Sequence, residues 1–109
     1  MCIRDRVFDI REGVTADTET SREEFGALSA TQTLRVWIHA TRVSTTGTMD
    51  VTLVSHTART GGTSTDRDTV ELGDTGIYVM DADGAISDTF WSIEYEPDSA
   101  EYDIAVAVQ

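Results

Sequence analysis

The sequence predicts an all-β fold, an antiparallel β-sandwich or jelly roll, with at most one short helix near residues 21–28. Three observations carry that expectation. β-Branched residues are abundant, with 17 threonines among 109 residues, and such side chains suit a pleated, half-buried surface. Apolar and polar residues alternate with period two in several short runs. Turn sequences containing Gly, Asp or the single Pro separate those runs at a spacing of about ten residues, the rhythm of a sandwich.

The chain opens Met1-Cys2-Ile3-Arg4-Asp5-Arg6. This stretch has no apolar core of signal-peptide type and no periodicity that ties it to the rest of the chain. It resembles the translation of a transposon end used in sequencing libraries, which in one frame reads Met-Cys-Ile-Arg-Asp and then Arg or Ser. Residues 1–6 are therefore read as an adapter artefact of shotgun environmental DNA. Residues 7–109 are read as a single β-sandwich domain, truncated at its N-terminus.

Ser21-Arg22-Glu23-Glu24 fits a helix capping box, and Phe25 and Leu28 stand one turn apart. Gly26 would limit that helix to about two turns. In TLRVWIHAT, Leu34, Val36, Ile38 and Ala40 point one way while Arg35, Trp37 and His39 point the other. A loop with Gly47 comes next, then TMDVTLVSH, in which Met49, Val51 and Leu53 share a face. Matched alternation across a Gly-containing loop predicts a hairpin of these two strands.

The segment ARTGGTSTDRD reads as a mobile surface loop, with TVEL a short strand after it. GIYVM is the next strand, and Asp81-Ala82-Asp83-Gly84 reads as a tight turn. In the strand beyond that turn, Thr89, Trp91, Ile93 and Tyr95 face opposite Asp88, Phe90, Ser92 and Glu94. Pro97-Asp98-Ser99 turns the chain into YDIAVAV, with Tyr102, Ile104, Val106 and Val108 inward.

Acidic residues outnumber basic ones 20 to 8, the net charge is −12, and every basic residue is Arg. Setting residues 1–6 aside leaves 19 acidic against 6 basic residues, a net charge of −13. Such a surface repels phosphates and anionic lipid, so neither a nucleic acid nor a membrane is an expected partner. High-GC coding, which favours Arg over Lys, is one reading of this balance. The other, and the one expected, is a saline source, because carboxylates hold hydration in brine and salt screens their repulsion. Without Cys2 the chain has no cysteine, which excludes disulfides, thiolate metal sites and a cysteine nucleophile.

Few residues suggest chemistry. Asp81, Asp83 and Asp88 resemble the start of a calcium loop, but Ala85 and Ser92 occupy positions that need ligands. They are the residues that would supply a metal site if one existed; none is expected. His39 and His56 both alternate with core positions and are read as outward-facing. Ser55-His56 lacks a nucleophile elbow and an orienting acid, so no triad is expected. Carboxylate pairs such as Glu94/Glu96 arise from composition alone. The expectation is a non-enzymatic chain without a cofactor. Trp37, with Arg35 and His39 beside it, is the leading candidate for an interface or glycan contact, burial under a loop being the other reading.

The run LRVWIHATRVSTTGTMDVTLVSH resembles the central hairpin of small β-sandwich virion proteins encoded among the structural genes of tailed phages. Thr46-Gly47-Thr48 followed by Asp50-Val51-Thr52-Leu53 is its sharpest part, and the resemblance extends over residues 33–109. It departs where such proteins often carry a D-G-x-x-W segment and this chain has ARTGGTSTDRD. The resemblance implies a head-decoration, head–tail or tail-associated subunit, packing against copies of itself or against capsid or tail proteins, in a virion or extracellular setting. The same cadence occurs in carbohydrate-binding jelly rolls of secreted and fibre proteins, which is the alternative.

Overall fold

The structure, a computed structural model, describes residues 6–108. The adapter reading of residues 1–6 lies outside the described residues, apart from Arg6, where the first strand begins. Strict alternation makes β4 (Thr33–Arg42) and β9 (Tyr102–Val108) two-faced, with every second residue buried along most of each strand. The other elements are β1 (Arg6–Val14), β2 (Thr18–Glu19), β3 (Glu23–Glu24), β5 (Thr48–His56), β6 (Ser64–Leu72), β7 (Gly76–Asp83) and β8 (Phe90–Asp98).

The strands form two antiparallel sheets packed face to face, a β-sandwich. The first sheet has the order β1-β9-β4-β7, and the second β2-β8-β5-β6 with β3 also on β8. The core between them is built from the inward residues of both sheets. Leu34, Val36 and Ile38 of β4 and Ile104 and Val106 of β9 meet Met49, Val51 and Leu53 of β5 and Trp91, Ile93 and Tyr95 of β8.

Three expectations need correction. Residues 21–28 are not helical. The Glu23–Glu24 pair forms β3 on the edge of β8, Gly26 N–H donates to the Thr89 carbonyl, and Leu28 exchanges both backbone bonds with Ile86. Gly26 has φ +89°, which a helix cannot contain. Phe25 and Leu28 are buried as separate anchors, so their spacing mimicked one helical turn.

Second, β4 and β5 are not a hairpin. β4 pairs with β7 and β9, whereas β5 pairs with β6 and β8, so the Gly47 loop carries the chain from one sheet to the other. That crossover interlocks with the one from β8 to β9. Val43 and Ser44 N–H groups donate to the Glu101 carbonyl, and a Cβ on Gly47, at φ +90°, would collide with the carbonyl oxygens of Asp98 and Ser99. Alternation identifies strands and not their partners.

Third, Ser64–Asp68 is not loop but the first half of β6, paired with β5 through Ser64↔His56. β6 is an edge strand whose exposed positions carry no apolar side chain, so its composition reads as loop. A register shift falls between Leu53 and Val54 opposite Arg67, further masking the period. Similarly, β7 runs on through Asp83 before the chain turns.

Candidate interaction face

The outward residues of the first sheet line up in rungs across its four strands. One rung is Ile10, Ala105, His39 and Ile77, and the next contains Ala107, Trp37 and Val79. A third pairs Arg35 with Asp81. Five large apolar side chains are exposed among the described residues: Ile10 at 68%, Trp37 at 42%, Val43 at 50%, Ile77 at 70% and Val79 at 43%. Four of them sit on this one face, and Val43 lies just beyond the end of β4. A contiguous apolar surface of that kind marks an interaction site more often than chance exposure does.

The strands make the face uneven. β9 presents Asp103, Ala105 and Ala107 outward, and its two alanines lie between Ile10 on β1 and the Trp37 and His39 side chains of β4. The result is a shallow groove of about 170 Å³ with Ala105 in its floor and Ile10, His39 and Thr41 along its sides. A closed apolar cavity of about 150 Å³ holds a benzene ring, so the groove is large enough for one aliphatic or aromatic side chain.

All three sequence candidates therefore occupy the same face. Arg35 is held there by Asp81, with Nε–Oδ1 at 2.8 Å and a second bond at 3.3 Å. The Asp81 hydrogen bond, followed by its charge, raises the Arg35 pKa above its ordinary value. Both side chains are open to solvent, which screens the pair, so it adds little to stability. Arg35→Ala is expected to leave the urea unfolding midpoint essentially unchanged.

The carboxylates considered for a metal are dispersed. Asp81 is on Arg35, Asp83 accepts from the Thr33 hydroxyl, and Asp88 lies elsewhere, accepting from Ser55 at 2.7 Å and from Arg67 at 3.3 Å. Among the described residues no group of three or more His, Cys, Asp or Glu side chains is arranged to hold a metal ion. Nor, among those residues, is any helix long and apolar enough to cross a membrane.

The outer face of the second sheet has the opposite character. Register sets Glu71, Asp50 and Glu96 side by side, with Glu94 and Glu19 adjacent on the next rung. Glu94 is pushed up to about 7, first by its hydrogen bond with Glu96, then by burial and by the charges of Glu96, Glu19 and Asp66. Among the described residues, no exposed large apolar side chain lies on this sheet.

His56 requires a further correction. Alternation does place it on the outer side, but it is buried there. Its Nδ1 is 2.6 Å from Ser64 Oγ, and its Nε2 is 2.7 Å from Ser92 Oγ, which donates to Glu19 at 2.8 Å. Because Ser92 gives its one proton to Glu19, Nε2 carries the ring hydrogen and Nδ1 accepts from Ser64. Burial lowers the His56 pKa, so the ring is neutral near pH 7. The chain of bonds fastens β2 across β8, β5 and β6.

Sequence reasoning found Trp37 but missed Ile77, Val79 and Ile10. The signal was present in GIYVM, where both phases of the alternation are apolar; one phase fills the core and the other must lie outside. No protein-family model, no curated protein and no solved structure matches the chain.

Proposed function

We propose that the chain is a non-enzymatic structural subunit that works by packing against other proteins through the outer face of its first sheet. In that reading it is a virion component of the head-decoration, head–tail or tail-associated kind, from a saline environment. The observation that carries the packing role is the apolar surface of Ile10, Trp37, Ile77 and Val79 on a molecule whose net charge is −12. Selection against aggregation removes such surfaces unless a partner covers them. The virion assignment rests on the resemblance of residues 33–109, and the β-sandwich agrees with it.

One observation favours a carbohydrate-binding alternative. The groove beside Trp37 includes the polar groups of His39, Thr41 and Asp103, which is the material of a sugar subsite. Two measurements separate the readings. The genes flanking the coding sequence on its source DNA are expected to encode capsid, portal or tail proteins. Binding on a glycan array that disappears in Trp37→Ala, with no such genes nearby, would sink the assembly reading.

A further inference from the structure

We infer that the first partner of this face is a second copy of the same chain, in a two-fold, face-to-face pair. The inference rests on the packing role proposed above and adds the partner and its geometry.

Strand order supplies the argument. A two-fold axis in the plane of the face, running along the strands between β9 and β4, maps β1-β9-β4-β7 onto its own reverse. β4 of one copy then lies over β9 of the other, and β7 over β1. Because the axis runs along the strands, each rung stacks on itself. Trp37 meets Ala107, His39 meets Ala105, and Ile77 meets Ile10, each contact made twice. The bulky residues of β4 fall into the trough left by the alanines of β9, and the two most exposed isoleucines cover each other. A face whose ridge and trough are exchanged by one rotation is complementary to itself.

Charge selects the same arrangement. The two central rungs carry no carboxylate, and Asp81 of the third is neutralised within its own copy by Arg35. Asp103 of the rung beyond accepts from Gly13 N–H and lies over Thr41 of the other copy rather than over a carboxylate. The acidic rung of Glu71, Asp50 and Glu96 is on the far sheet, so pairing turns both acidic faces outward. Any pairing through the second sheet would oppose carboxylate to carboxylate.

Area sets the strength. Four strands about 4.8 Å apart and roughly eight residues long present roughly 500 Å² per copy. The pair buries roughly 1,000 Å², the lower edge of specific interfaces, which corresponds to a weak dimer that repetition in an assembly would reinforce.

Sedimentation equilibrium is expected to show a monomer–dimer equilibrium with a Kd of order 1–100 µM. Raising NaCl is expected to tighten it, because salt screens the repulsion between two acidic copies. Ile77→Arg is expected to weaken it at least about tenfold, whereas Val43→Arg, an exposed apolar position off the face, leaves it unchanged.

Cross-linking tests the axis. In a Cys2→Ser background, Ile10→Cys combined with Ile77→Cys is expected to give disulfide-linked dimers on mild oxidation. The two positions lie three strand spacings apart within one copy, about 14 Å, beyond disulfide reach. Ile10→Cys alone is expected to stay monomeric in the same assay, since the axis keeps the two Ile10 positions equally far apart. A chain that remains monomeric at about 0.5 mM in low and high salt would overturn the pair. So would loss of the dimer in Val43→Arg rather than Ile77→Arg, or equal cross-linking of the single variant. A monomer flanked by capsid genes leaves the assembly role standing with a different protein on the face. A dimer cross-linked through Ile10 and Ile77 whose gene has no capsid, portal or tail neighbours leaves the pair and removes the virion reading. Glycan binding through Trp37 in that dimer would overturn the pair.

Discussion

Trp91→Ala is expected to lower the unfolding free energy by about 3–5 kcal/mol, the range for deleting a fully buried large aromatic side chain. Trp91 has no exposed surface, sits among the core residues of β8, and donates its indole N–H to the Gly26 carbonyl at 3.1 Å. The substitution therefore opens a cavity and also strips a partner from the strap of residues 18–28 that runs along β8. Urea unfolding followed by circular dichroism gives the value. Trp91→Phe keeps most of the volume and is expected to cost about half as much. A loss below about 1 kcal/mol in the alanine variant would mean that the indole is not where the core needs it.

Glu94→Gln is expected to stabilise the protein by about 1–2 kcal/mol at pH 8 and by nothing at pH 4. In the unfolded chain Glu94 titrates near the ordinary 4.5, whereas in the folded chain its proton is held up to about 7. Below 4.5 the group is protonated in both states and contributes nothing. Between 4.5 and 7 the unfolded state ionises first, so the folded state loses stability as pH rises, and above 7 the full cost is present. Partial exposure of Glu94 keeps that cost well under what the pKa alone would give. Gln retains a donor for the Glu96 carboxylate and removes the charge. Thermal melts of both proteins from pH 4 to pH 9 measure the difference, which is expected to shrink in molar salt. A gain independent of pH would refute this origin for the effect.

The parts of the fold that were legible in the sequence are those where one face is buried and the other is not. Leu34, Val36, Ile38 and Ala40 announce β4, and Tyr102, Ile104, Val106 and Val108 announce β9, because period two survives along the whole strand. β1 was not legible. Register shifts between Val7 and Asp9 and between Arg11 and Val14 break its alternation. β2 and β3 are too short to carry a period, and their strand character comes from the edge of β8 that they cover.

The same strap explains His56. Alternation correctly set it on the outer side of β5, and only tertiary structure, through Glu19 and Ser92, encloses it there. On the outer face of the first sheet, Trp37, Arg35 and His39 could be grouped because they share one strand. Ile10, Ile77 and Val79 joined them only once the order β1-β9-β4-β7 was known.

That order has a bearing on how the fold can fail. β9 lies inside its sheet, so β1 and β4 never touch as neighbours and are joined only through the same seven residues. Fraying of Tyr102–Val108 would not trim the sheet at its margin. It would cut the sheet into a lone strand and a hairpin-sized remnant, and uncover two rows of unpaired backbone groups at once. Protection of the β9 amides against hydrogen exchange is thus a gauge of resistance to fibre formation, with the sequence's most regular strand acting as the guard on its two most adhesive edges.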